Sequence, residues 1–327
     1  MFRYNRYTGS WELTQKLVSD QPKSCGAFGG RTDSQNVVLY SFGRGQDNPT
    51  IALIGEAENA TGFPPRLHVF NRKKNKDQWE RVQIADAPSG LIESSFADSV
   101  EAIGRFALVV EDSYDPYDPE VNPPVVHVYR VNPRGIVKVK GKLQPVQTLD
   151  VPGGPLDTGE CVHAHFGYGM SAANGIAAIG NPCNDTAAEN AGAVHVYSVD
   201  DSVNDEPLTL IQTLPNPTAT ADSFFGFNLG PGRQTISTDG DVILVGSSDW
   251  FRPSGQQDVE MFLRDASGDF VHAGSIPSPS PGTAGSEFYG QSVTLLGGGE
   301  FAISQMTDGV DYPNNGRVFL FDLQGVD

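Results

Sequence analysis

Between Gly169 and Leu214 the apolar residues fall into four short runs: Gly169–Ala173, Ile176–Gly180, Ala193–Val199 and Leu208–Leu214. Turn residues part them, first Asn174-Gly175, then Asn181-Pro182, then an acidic Ser/Asp/Asn segment. Short apolar runs punctuated by Gly, Asn and Pro predict strands, and four in succession predict a β-meander. Nowhere do apolar positions keep a 3.6-residue spacing over ten or more residues, so almost no helix is expected.

The rest of the chain repeats this pattern. The third run, Val194-His195-Val196-Tyr197, recurs as Leu67–Phe70, Val126–Tyr129, Val259–Phe262 and Val318–Phe321, and Met1–Tyr4 fits the same slot. Taking the second position as marker, the steps are 66, 59, 68, 65 and 59 residues. The fourth run echoes as Trp11–Leu17, Trp79–Ile84, Leu143–Leu149 and Leu208–Leu214, with a degenerate copy at Phe270–Ile276. The second run echoes as Ile51–Gly55, Phe106–Val110, Val242–Gly246 and Phe301–Ser304. Each first strand is announced by Phe-Gly or a relic of it: Phe28-Gly29, Phe96-Ala97, Phe166-Gly167, Phe225-Gly226 and Phe288-Tyr289-Gly290. One such meander cannot bury both faces of its sheet, whereas neighbours packed radially can, and the period is near that of the longer propeller blades. The prediction is an all-β fold, a β-propeller of four-stranded antiparallel blades in a single domain over 1–327. It has four complete repeats, 19–86, 87–150, 151–215 and 216–277, and partial ones at both ends, 1–18 and 278–327.

Phe166-Gly167, Gly180-Asn181-Pro182, Val194–Tyr197 and Gln212–Leu214 occur in the order of the FG-GAP, or integrin α type, β-propeller repeat, which the chain resembles over nearly its whole length. The resemblance implies about seven blades, and hence strands missing upstream. In a closed five-blade ring Trp11–Leu17 would instead complete the last blade beside Val318–Phe321, with residues 1–7 competing for one slot. The reading taken is a fragment of a larger chain, or partners that supply strands. The integrin-type calcium loop between first and second strands is absent: Ala172–Gly175 and Thr238–Asp241 lack the carboxylates that six or more oxygen ligands require, so no metal and no cofactor is expected.

The net charge of −18 narrows the partners. An acidic surface repels phosphate backbones, which excludes nucleic acid as a partner. No run reaches the roughly 18 apolar residues of a membrane helix, so no membrane insertion is expected. The opening residues lack the apolar core of a signal peptide, which taken alone points to the cytoplasm. Other features point outward. Asn59-Ala60-Thr61 and Asn184-Asp185-Thr186 are glycosylation sequons in second-to-third loops. Cys161 and Cys183 lie on loops of one blade and one face, a geometry open to a disulfide closing about twenty residues, the alternative being two buried thiols. Cys25 has no evident partner. The setting expected is extracellular or cell-surface.

In this topology the second-to-third loops and the approaches to the first strands share one face. Its loops are long, polar and unequal: 56–66, 111–125, 181–192, 247–258 and 305–317. Such loops on a regular scaffold carry binding function, or are plain solvated insertions. The acidic run Glu111–Glu120 holds Pro116 and Pro119 and is read as such a loop. His68, His127 and His195 share one repeat position between apolar neighbours, a packing slot rather than a metal ring. His163 and His165 have the i, i+2 spacing that points both side chains to one side of an extended strand. With Tyr168, and with Tyr114 and Tyr117 near by, they form the alternative catalytic set, an acid/base pair of a lyase-like enzyme on acidic polysaccharide, since some propeller-shaped lyases use His and Tyr. Arg31, Arg233 and Arg252 would have to gather to receive that polyanion. The primary reading is a non-enzymatic interaction, adhesion or structural module whose loop-bearing face binds other protein chains or glycans, with a larger assembly as a further possibility.

Overall fold

The computed structural model describes residues 2–5, 7–19, 27–29, 37–41, 50–57, 64–73, 78–91, 95–112, 123–153, 165–227, 234–247, 258–279, 289–305 and 316–323. Strands, turns and irregular connections account for them, with no helix among the described residues. They build a β-propeller whose sheets fall one to a repeat. In the first blade Ala27–Phe28 and Val37–Tyr40 together line Ile51–Ala57, followed by Arg66–Lys73 and Gln78–Asp86. The third blade is Met170–Ala173, Ile176–Asn181, Ala193–Val199 and Leu208–Pro215. The fourth is Ile236–Thr238, Val242–Val245, Val259–Arg264 and Phe270–Ile276. Within each of these sheets pairing is antiparallel.

One expectation is corrected. The fourth strand of the second blade is not a continuous Leu143–Leu149. It is split into Gly135–Ile136 and Gln147–Leu149, both paired with Val125–Asn132. Pro145 explains the late start, because it has no N–H to donate to a ladder. The copy at Phe270–Ile276, degenerate in sequence, is a full strand.

Apolar third-strand residues face forward onto the next blade. Leu67 and Val69 pack with Phe96 and Val100, Val126 and Val128 with Phe166 and Met170, and Val194 and Val196 with Phe225 and Ile236. Each blade-to-blade seam is thus an apolar core of its own. Burial of apolar surface at about 25 cal/mol per Å² makes these seams the main stabilising element.

A polar clamp crosses each of four seams. The side-chain amide of Gln83 donates to Ile136 O (2.9 Å) and accepts from Ile136 N (2.7 Å). Gln147 does the same to Leu208, Gln212 to Phe270 and Gln15 to Trp79, at 2.7–2.9 Å. A β-bulge precedes the glutamine in the first and third blades, where Val82 and Ile211 are the unpaired residues. The extra residue turns the amide out of its own sheet toward the next. In the fourth blade Gly274 takes the glutamine position opposite Met261, and the fifth blade has no fourth strand among the described residues to receive a clamp. Gln147→Ala should therefore lower stability by about 2 kcal/mol, because it leaves a backbone donor and acceptor unpaired in a part-buried seam. Urea denaturation would measure it, and a loss no larger than that of the exposed Thr209→Ala would refute the clamp.

At the ends, Tyr289–Gly297, Glu300–Gln305 and Arg317–Asp322 form a three-stranded fifth blade. Phe2–Asn5 and Ser10–Leu13 form a separate hairpin and pair with each other. Strand 10–13 does not complete the fifth blade among the described residues.

Candidate functional site

The Phe-Gly motif sets the entrance to each first strand. Gly29, Gly167, Gly226 and Gly290 all have φ between 77° and 88°, and Ala97 holds the same left-handed turn at 62°. The turn brings the motif's N–H to the end of the second strand, as in Gly167 N to Gly180 O at 2.9 Å and Gly226 N to Gly246 O at 3.0 Å. In the second to fifth blades the residue after this turn occupies one repeat position: Asp98, Tyr168, Phe227 and Gln291.

Here the candidate His165 is found. Its backbone is left-handed (φ 38°) and its carbonyl accepts from Tyr168 N at 3.2 Å. The ring stacks on Phe227 (centroids 5.0 Å, interplanar 30°) and meets the edge of Tyr168 (4.8 Å, 77°). Nδ1 lies 3.3 Å from Asp112 Oδ2, near enough for an ion pair although not aligned as a hydrogen bond. Tyr168 and Phe227 are 8% and 3% exposed. Three blades therefore contribute: Asp112 from the second, His165 and Tyr168 from the third, Phe227 from the fourth. Sequence reading missed Phe227 and Asp112, although Phe227 follows its Phe-Gly as Tyr168 does. His163, Tyr114, Tyr117, Arg31, Arg233 and Arg252 lie outside the described residues, as do Cys25, Cys161 and Asn59.

The histidines in register are internal braces. His68 Nε2 is 2.6 Å from Glu56, and His127 Nε2 is 2.7 Å from Glu111 with Nδ1 3.0 Å from Thr148 Oγ1. In the third blade the partner is Asn181 (3.2 Å), with Thr213 Oγ1 on Nδ1 at 2.9 Å. The fourth blade inverts the pair: Glu260 occupies the slot and is held by His272 (2.7 Å), Ser275 and Thr218. Each brace ties the second, third or fourth strand of its own blade. No group of three His, Cys, Asp or Glu among the described residues could hold a metal ion.

The braces differ electrostatically. Burial alone would raise the Glu111 carboxyl, but hydrogen bonds from His127 and Ser89 outweigh it and hold it below the usual range. His195 has a neutral partner, and burial pushes it down to about 4. Away from this face, on the first strand of the second blade, Glu101 accepts a hydrogen bond from Ala102 N (2.7 Å), yet burial pushes its carboxyl up to about 7.

Loop 181–192 is a compact turn system rather than a solvated insertion. Asp185 Oδ1 accepts from Asn190 N, and Asn190 Nδ2 donates to Asp222 Oδ1 at 2.9 Å. The backbone of 189–191 accepts from Asp222, Phe224 and Phe225, tying the loop to the next blade's entrance. Asn184 is 6% exposed and its Oδ1 caps Thr186 N, so a glycan there would require this turn to open. Cys183, 2% exposed, is disulfide-bonded, to a partner outside the described residues.

No family model and no curated protein matches the chain. Solved structures do. A protein from Lactobacillus plantarum matches with 9% identity, 98% of this chain and 90% of its own covered, and a TM-score of 0.41. A putative 6-phosphogluconolactonase from Bacteroides uniformis has 10% identity, coverages of 98% and 92%, and a TM-score of 0.40. A GH43 endo-arabinanase from Bacillus licheniformis has 8% identity, coverages of 90% and 94%, and a TM-score of 0.36.

Proposed function

We propose that the protein is a β-propeller interaction module built from integrin-type repeats, acting outside the cell or at its surface and binding a protein chain or glycan through its loop-bearing face. The observation that carries this over the enzymatic alternative is the state of His165. An acid/base group must present a nitrogen to substrate. His165 turns its Nδ1 to Asp112 and packs its ring between Phe227 and Tyr168 with 20% of the side chain exposed, an arrangement suited to holding the entrance rigid. A disulfide at Cys183 fits an oxidising setting. The names among the structural neighbours span hydrolytic enzymes and a WD40 domain and do not choose between the two readings.

The test is a binding screen of the purified chain on arrays of glycans and of cell-surface proteins, run beside an assay for unsaturated oligosaccharides released from acidic polysaccharide. Binding is expected, weakened about tenfold by Tyr114→Ala combined with Tyr117→Ala in the 111–125 loop, with no released product. Product release that disappears in His165→Ala would replace this reading with the lyase-like one.

A further inference from the structure

The seams of the propeller expose an asymmetry at its ends. In the first four blades the forward-facing third-strand positions are closed: Leu67, Val69, Val126, Val128, Val194, Val196 and Val259 are 0% exposed and Met261 is 8%. The strand register makes Val318 and Leu320 their counterparts in the fifth blade, since Ser304 opposes Val318 as Gly180 opposes Val194. These two are 66% and 74% exposed. The rear faces show the complementary defect. Val100, Met170, Ile236 and Val293, first-strand residues that receive the preceding blade, are 0–3% exposed, whereas Val37 of the first blade is 43% exposed and Leu39 beside it 47%. The N-terminal hairpin covers only part of that face. Leu17 packs against the cluster of Ile54, Phe70 and Trp79, and Gln15 clamps Trp79, while Trp11 and Leu13 stay 69% and 61% exposed.

We propose that the forward face of the fifth blade docks on the rear face of the first blade and hairpin in a second copy of this chain, so that copies associate head to tail. The occupant follows from the four internal seams. Among the described residues the forward faces of the first four blades are each covered by a rear face of the same repeat, while the forward face of the fifth blade and the rear face of the first stay exposed. A second copy offers the rear surface to which the forward face is already matched in pattern, and the new contact continues an interface that recurs within the chain. Exposed apolar patches of this kind mark association surfaces. The contact is heterologous, so it builds rings or open chains rather than a two-fold dimer. Because each copy carries −18 charges, screening by salt should strengthen it. It uses a surface distinct from the loop-bearing face, so it stands or falls separately from the proposed binding function.

Sedimentation velocity of the full chain tests it, from about 1 to 100 µM at low and high salt, where an affinity in the micromolar range would register. The mean mass is expected to rise with concentration and with salt. Leu320→Lys on the forward face and Val37→Lys on the rear face should each give monomers with an unchanged thermal midpoint, and Val318→Ser is a milder second forward variant. Mixing Leu320→Lys with Val37→Lys restores one intact contact and should give one-to-one dimers and nothing larger. A parent that stays monomeric at the highest concentration overturns the proposal. So does association that survives both forward-face variants, or a mixture that forms no dimer.

Discussion

Gly246→Ala is expected to cost about 3 kcal/mol, near the upper end of what overpacking a formed core costs. A Cβ at this position would lie 1.9 Å from Gly290 O and 2.9 Å from its carbon, atoms of the next blade's backbone that no rotamer can move aside. Within the fourth blade Gly246 is held by Gly246 N to Thr235 O at 2.8 Å and by Gly226 N to Gly246 O at 3.0 Å, so it cannot retreat into its own sheet, and relief means prising the fourth and fifth blades apart. Gly90→Ala separates this from ordinary glycine strain. Gly90 has φ +74° and nothing within 4 Å of its would-be Cβ, so only the left-handed penalty of about 1 kcal/mol applies. Urea midpoints of the two variants should differ by a factor of two or more in destabilisation. Equal losses would mean that backbone conformation, not seam contact, sets the glycine requirement.

The same contact shows what the sequence could and could not tell. Phe-Gly and the glycine ending the second strand are both visible as echoes, and they led to the fold. Their joint purpose is not visible, because it is a distance between blades. Gly55 faces the Ala97 carbonyl (2.0 Å from a built Cβ) and Gly180 the Gly226 carbonyl (2.4 Å). At the second seam Val110 replaces the glycine, and the demand passes to Gly167, whose Cβ would come 2.7 Å from Val110 Cγ2. One glycine per seam suffices, which explains why neither echo is strict. The histidine slot was legible as structural, but its partners were not. Glu56, Glu111 and Asn181 stand at the end of the second strand, across loops of different length, so no constant spacing betrays them. The glutamine echo likewise hid its role, since a clamp on the next blade's backbone leaves no matching residue type. Of the candidate site, the sequence singled out His165 and Tyr168, but Phe227 and Asp112 come from neighbouring blades, and convergence between blades is a property of how the blades pack.

A buried histidine and a half-buried glutamate should make the pH profile of stability flatter than either alone would allow. His195 is 1% exposed and is held neutral down to about 4, against 6.5 for an ordinary histidine. A depressed folded value means its contribution is present above 6.5 and is lost as pH falls toward 4, about 3 kcal/mol in all. Glu101 behaves in the opposite sense. It stays protonated in the folded chain up to about 7, against 4.5 ordinarily, so its contribution is present below 4.5 and is lost as pH rises through 7, by up to about 3 kcal/mol. Between 4.5 and 6.5 the folded chain holds one proton more at Glu101 and one fewer at His195 than the unfolded chain, and the slopes cancel. The groups lie in different blades and share no hydrogen-bond partner, so their effects should add. Glu101→Gln should therefore unmask a fall of about 3 kcal/mol on acidification from pH 6.5 to 4.5, whereas His195→Gln should unmask a comparable rise over the same interval. The double variant should be flat again, like the parent. Asn181→Glu gives His195 the carboxylate partner that His68 and His127 have, and should flatten the fall seen in Glu101→Gln. Urea denaturation at half-unit steps of pH reads all of this. A Glu101→Gln variant as flat as the parent would show that Glu101 carries its proton no further in the folded chain than in the unfolded one.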